Sequence, residues 1–232
     1  MKIALIGNGA MGQLVTAEAR AAGDEVGAVV TSSERDLTTD ELGERVRGHD
    51  VAIDFSVAEA VLRNIEACAR AGVPLVEETT GWKAHEAAAK QLVTEHSAAL
   101  VYGANFSIGV NLFYRIVDRA AALFASVEGY TPFLEEAHHM RKRDAPSGTA
   151  LQLRELMAKH LGPDIPIAST RAGYIPGTHR AGFDSEADQI LLVHAARSRR
   201  GFASGALVAA HWVIGRKGVF QFSDVIEEIV NL

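Results

Sequence analysis

The sequence predicts an α/β protein. Short apolar runs alternate with segments of helical periodicity through the first hundred residues, a glycine-rich turn joins the first run to the first helix, and 48% of the 232 residues are hydrophobic. That length exceeds the roughly 100–150 residues of a usual single domain, which leaves one large domain or two small ones. Charged residues make up 22% of the chain and the formal net charge is −6. Such a balance excludes wholesale disorder and argues against a protein that coats nucleic acid or anionic membrane. Cys68 is the single cysteine, so neither an internal disulfide nor a cysteine metal cluster can form; a cytoplasmic location is expected. The four apolar residues after Lys2 are too few for an export signal, and no run of about 18 apolar residues predicts a membrane span.

Residues 2–6 read as a buried strand, and Gly7-Asn8-Gly9-Ala10-Met11-Gly12 follows at once. Met11, Leu14, Val15 and Ala19 then recur at helical spacing until Gly23, and residues 25–30 form the next strand candidate. Strand, G-x-G-x-x-G, helix and strand within about 30 residues make the setting of a dinucleotide fingerprint, and the fold expected is of Rossmann type. Gly7 allows the tight turn, Gly9 lets the backbone approach a pyrophosphate, and Gly12 lets the helix lie close to the strand. A glycine-rich turn without a ligand is the bland alternative, which this setting disfavours. An acid at the end of the second strand would favour NAD; Thr31-Ser32 stands there instead, with Glu34 three residues late and Arg35 beside it. Thr31, Ser32 and Arg35 suit NADPH, or form only a polar loop, so NADPH and NADH both remain open.

The alternation continues with strands at 51–55, 74–76 and 99–102 and helices at 58–71 and 85–96. Ligands in an open parallel sheet sit beyond the carboxyl ends of the strands. That rule nominates Ser56, Glu78-Thr79-Thr80-Gly81, and the segment Gly103-Ala104-Asn105-Phe106-Ser107.

Residues 135–150 hold adjacent histidines (His138, His139), the basic run Arg141-Lys142-Arg143, and Pro146-Ser147-Gly148-Thr149 at the start of a helix expected over about 150–161. Thr149 with Gln152 fits a capping box. A helix start opened by Ser147, Gly148 and Thr149 offers N–H groups and hydroxyls to a carboxylate, with cations nearby. A solvated basic turn before an ordinary capped helix is the alternative. No metal is expected: adjacent histidines in an extended segment point to opposite sides, and no third ligand stands at a usual spacing.

Residues 136–150, Glu-Ala-His-His-x-x-Lys-x-Asp-Ala-Pro-Ser-Gly-Thr-Ala, closely resemble the signature of the 4-hydroxy-tetrahydrodipicolinate (dihydrodipicolinate) reductase family. The resemblance extends over nearly the whole chain, through Gly7–Gly12, Asp54-Phe55-Ser56, Thr79-Thr80-Gly81, residues 104–111, Arg171-Ala172-Gly173, His179, His194 and Phe202-Ala203. It implies a dinucleotide-binding domain (1–106 and 203–232) and a smaller α+β substrate-binding and oligomerisation domain (107–202) with a mixed sheet. The substrate implied is a small dicarboxylate and the assembly a homotetramer. It also implies catalytic roles for His138 and Lys142, and carboxylate binding by His139, Ser147, Gly148 and Thr149. Glu78 departs from the pattern, standing beside the nicotinamide where the family usually has glycine. The chemistry implied is hydride transfer from NADH or NADPH to a cyclic dicarboxylate, followed by protonation. Arg141 and Arg143 are expected to lower the Lys142 pKa and so to suit it as the acid, with His138 the alternative donor. A different amino- or imino-acid dehydrogenase, or a non-catalytic dinucleotide-binding sensor, are the competing readings.

Overall fold

The computed structural model describes residues 1–230. The elements run β1 (Lys2–Ile6), α1 (Ala10–Ala21), β2 (Glu25–Val30), α2 (Thr39–Val46), β3 (Val51–Asp54), α3 (Val61–Ala71), β4 (Leu75–Glu77), α4 (Glu86–Glu95) and β5 (Ala99–Tyr102). There follow α5 (Ile108–Phe124), β6 (Thr131–His138), α6 (Gly148–Leu161), β7 (Ile167–Arg171), β8 (Thr178–Asp184) and β9 (Gln189–Ala195). The chain closes with α7 (Arg200–Val213), β10 (Gly218–Gln221) and α8 (Phe222–Ile229). It forms two compact units: residues 1–108 with the segment from Arg200 onward, and Gly109–Arg199.

The first unit carries a six-stranded sheet in the order β10-β5-β4-β3-β1-β2, parallel throughout. Such a sheet needs helices on both faces, and its inner strands are apolar along their length: all four residues of β3 are buried. The order reverses between β1 and β3, which opens a crevice beyond their carboxyl ends. Two glycines fix how closely the first turn is wound. Gly7 has φ +95, and a Cβ there would lie 2.6 Å from the Phe55 carbonyl oxygen. At Gly12 a Cβ would lie 2.1 Å from the Gly7 oxygen. Helix α7 brings the chain back to this sheet through small residues; a Cβ at Gly205 would lie 1.7 Å from the Phe106 oxygen.

The second unit has a mixed sheet, β7-β6-β8-β9, with β6 parallel to β7 and antiparallel to β8. Its core packs Phe113, Val117 and Ala121 of α5 and Leu153 and Met157 of α6 against Leu134, Ala181 and Phe183 of the sheet.

Both expected sheet types are present, with some local corrections. The stretch 58–60 is a single 3₁₀ turn that precedes α3. Residues 32–34, read as loop, form another, because Thr31 and Glu34 make a reciprocal capping box. Helix α6 begins at Gly148, earlier than expected, and its cap is Ser147 and not Thr149: the Ser147 hydroxyl accepts from the Ala150 N–H at 3.3 Å. Extended backbone at Ser147 (φ −69, ψ 157) provides the turn into the helix.

Candidate active site

The first unit presents a candidate dinucleotide site at its sheet crevice. Gly9 is the N-cap of α1 and no side chain caps it. A Cβ at Gly9 would meet nothing within 4 Å, so the backbone there faces open space. Uncapped N–H groups at a helix start attract an anion. Gly7 N–H donates to the Val30 oxygen at 2.8 Å, which ties the loop to the end of β2, where Thr31 and Ser32 follow. The Glu34 carboxylate folds back to that end, accepting from Thr31 N–H at 3.1 Å and pairing with Arg45 at 3.1 Å.

Beside this loop lies a cavity of about 450 Å³, lined in part by Met11, Ser56, Glu78, Thr79 and Thr80. Thr79 is buried and its hydroxyl has no hydrogen-bond partner. A ligand group with polar edges would satisfy it, so the residues fit a nicotinamide carboxamide. Of the third nominated segment, Asn105 accepts from Ser107 N–H at 2.8 Å. Phe106 is fully buried against Phe222, with ring centroids 4.5 Å apart. Only its backbone, with Gly103 and Ala104, is left for a ligand.

Beneath the cavity, Asp54 and Glu77 end β3 and β4 as adjacent buried carboxyls. Asp54 accepts from Ser56 N–H at 2.7 Å and from Asn64 Nδ2 at 2.6 Å. Burial, and then the neighbouring Asp54, push the Glu77 carboxyl well above its ordinary range.

In the second unit the two-residue period of β6 puts Glu136 and His138 on one face. Register then sets His179 of β8 opposite Glu136 and Arg171 of β7 opposite His138. The Glu136 side chain is fully buried; its Oε1 accepts from Arg171 Nη2 at 2.6 Å and from Ser147 N–H at 3.3 Å. Its Oε2 stands 2.6 Å from His138 Nδ1, off the line of a regular hydrogen bond. Burial opposes the Glu136 charge, but Arg171, Ser169 and Ser147 outweigh it and hold the carboxyl at about 2. Burial lowers the His138 pKa, against the pull of Glu136, so its ring is neutral at pH 7. Burial likewise takes His179 down to about 4, and its Nε2 shares a 3.1 Å hydrogen bond with the Ser147 hydroxyl. Gly177 leaves room for the His138 ring, since a Cβ there would sit 3.1 Å from His138 Nε2.

Lys142 lies on the loop between β6 and α6, its ammonium 2.8 Å from Asp144. Arg141 and Arg143 are exposed. An acid two residues on thus stands against the ammonium, beside the two arginines that the sequence places around it. His139 is half-buried, with Nδ1 unpartnered, and Thr149 bonds the Tyr114 hydroxyl. The structure thus gathers His138, Ser147 and their neighbours in one unit, and sets the dinucleotide residues in the other.

Sequence reasoning gave Glu136 and Asp144 no role, and placed Arg171 and His179 only within the resemblance. The alternation Glu136-x-His138 is the signal that one strand face carries both groups. The strand partners across the sheet have no local signal. The cluster of Glu136, His138 and His179 has ligand atoms within 4.8 Å of one another, a grouping that the spacing of adjacent histidines did not disclose. Arg171 and Ser147 already occupy the Glu136 oxygen Oε1, and an arginine at 2.6 Å repels a cation.

An open parallel sheet with a glycine loop at its switch point, joined to a separate unit bearing titratable groups, defines a dinucleotide-dependent oxidoreductase. Family models narrow the class: dihydrodipicolinate reductase, N-terminus, matches residues 1–106, and its C-terminus matches residues 109–226. The chain belongs to the dihydrodipicolinate reductase family. The 4-hydroxy-tetrahydrodipicolinate reductase of Christiangramia forsetii is 36% identical, over 99% of both chains. That of Pseudomonas fluorescens is 37% identical, over 82% of this chain and 77% of its own. A dipicolinate-bound dihydrodipicolinate reductase from Paenisporosarcina sp. TG-14 shares the fold, with TM-score 0.79, 23% identity, and coverage of 95% of this chain and 97% of its own. Among the described residues no helix is long and apolar enough to cross a membrane.

Proposed function

We propose that the protein reduces 4-hydroxy-tetrahydrodipicolinate to tetrahydrodipicolinate, in diaminopimelate and lysine biosynthesis, with NADH or NADPH. The observation that carries the residue assignment is the polar face of β6 beside the N-terminus of α6: His138, Glu136 and His179 adjoin a helix start capped by Ser147. Ser147, Gly148 and Thr149 hold a substrate carboxylate with hydroxyls and N–H groups, and His139 adds a ring nitrogen. The relative solved with dipicolinate, a flat dicarboxylate, supports a ligand of that shape and charge.

A bound reduced nicotinamide supplies the hydride. Gly7, Asn8, Gly9, Ala10, Met11 and Gly12 hold the pyrophosphate, while Thr79, Thr80 and the backbone of Gly103–Phe106 hold the nicotinamide end. Lys142 supplies the proton that the reduced substrate takes up, because its ammonium carries one while His138 is neutral at pH 7. His138 keeps the reacting face polar and accepts hydrogen bonds. Thr31, Ser32 and Arg35 offer hydroxyls and a cation to a 2′-phosphate, whereas Glu34 offers an acceptor to a free 2′-hydroxyl. The second unit is the substrate-binding and oligomerisation domain of a cytoplasmic homotetramer. Exposed apolar residues on β9 (Ile190, Leu191 and Val193) support an interface there.

Oxidation of NADH and of NADPH is followed in parallel with freshly generated 4-hydroxy-tetrahydrodipicolinate, and with amino- and imino-acid substrates as controls. Turnover with the former alone is expected. Turnover confined to a control substrate, or cofactor binding without any turnover, replaces this reading.

A further inference from the structure

The cavity beside the glycine loop holds an acid that the proposed reaction does not use. Glu78 follows β4 directly and lines the cavity together with Thr79 and Thr80. Its backbone N–H donates to the Asp54 oxygen at 3.1 Å, which fixes the residue to the end of β3. Its carboxyl oxygen Oε2 is buried and has no hydrogen-bond partner. None of the nine residues lining the cavity is basic, and Glu59, on the 3₁₀ turn before α3, is the only other titratable one. Asp54 and Glu77, on the adjoining strand ends, are two further buried acids and bring no positive charge. The cavity therefore offers no countercharge to Glu78.

We propose that Glu78 makes this pocket sense the charge of the nicotinamide ring, binding the oxidised, cationic dinucleotide with release of a proton and the reduced, neutral one without it. The inference rests on the nicotinamide reading of the cavity. Its physics is linkage. Burial alone pushes the Glu78 carboxyl up to about 9, so the free protein holds it neutral at pH 7. A cation within a few ångströms favours the carboxylate, and a neutral ring does not. The carboxyl proton then leaves to solvent as the oxidised form binds, and affinity for that form rises with pH until the free protein also ionises. Product release slows as pH rises, because the product form of the cofactor is the one that Glu78 retains.

Titration calorimetry of the full chain with NAD⁺ and with NADH, in two buffers of different ionisation enthalpy, reads both the affinities and the protons released. NADP⁺ and NADPH serve in the same way if that pair binds more tightly. From about pH 6.5 to about pH 8.5 the Kd for the oxidised form is expected to fall by about tenfold, with that for the reduced form nearly constant. Glu78→Gln, close in shape and unable to ionise, should flatten the oxidised-form profile and abolish proton release. Glu78→Gly serves as a second variant should Gln disturb folding, with thermal melting as the check on both. A pH slope and proton release retained in both variants overturn the role of Glu78 and leave the cofactor reading standing. No binding of either dinucleotide pair overturns both.

Discussion

Glu136 shows how one buried side chain organises a site. Its two oxygens reach Arg171 of β7, the N–H of Ser147 that caps α6, and His138 of its own strand, and Arg171 continues to the carbonyl oxygen of Asp144, the partner of Lys142, at 2.5 Å. A carboxyl held at about 2 in the folded chain against an ordinary value of 4.5 stabilises the fold above the unfolded value. That contribution is lost as pH falls from about 4.5 through about 2. Denaturant titrations across that range should show the loss in the wild type and its absence in Glu136→Gln, which is less stable at neutral pH. Lys142→Ala should lower kcat by about 10²–10⁴-fold with fold and cofactor affinity kept, the usual span for a missing general acid. Steady-state rates at saturating substrate check this, and near-normal turnover would take the proton-donor role from Lys142.

Two helix starts form the proposed ligand sites, and each depends on one local device. Helix α1 lies against its own glycine loop, and the 2.1 Å gap between a Cβ at position 12 and the Gly7 oxygen leaves no room for a methyl. Gly12→Ala should cost about 1–3 kcal/mol by overpacking, read from urea unfolding, and should weaken dinucleotide binding by moving the loop. Helix α6 depends on Ser147, whose hydroxyl meets both Ala150 N–H and His179. Ser147→Ala removes cap and partner together and should destabilise the protein by about 1 kcal/mol. Its KM should rise more than its kcat falls, as expected when substrate and transition state lose the same contact. These helix starts were visible in the sequence, because glycines and hydroxylated residues at such turns have strong local preferences. The capping residue of α6 was misplaced by two positions: Ser147 and Thr149 are both good caps, and the contact with His179, which ties Ser147 to the sheet, is not local.

At the scale of the molecule, the chain leaves its first sheet after β5 and returns with α7 and β10, which adds the last parallel strand beside β5. The second unit ends its sheet in β9, whose Val193 is 52% exposed. An apolar edge strand of this kind offers a surface that another subunit can cover, as the proposed tetramer requires. Light scattering after gel filtration should give about four chain masses for the wild type. A double substitution, Leu191→Asp with Val193→Asp, should give a smaller species of unchanged helix content. A wild-type monomer would remove the tetramer reading.

The sequence by itself determined the parallel sheet, the glycine loop, the loop of residues 135–150 and the family. Each of these is written in local periodicity, in glycine spacing or in a long contiguous motif. Tertiary structure alone decided what stands opposite what. Strand register brought Arg171 and His179 to Glu136 and His138 from positions 33 to 43 residues away in the chain, a pairing that only folding makes. It also placed Asp144 against Lys142 and closed Glu78 into a cavity without a countercharge. Burial and pairing set the charge of these groups, and both are properties of the packed chain.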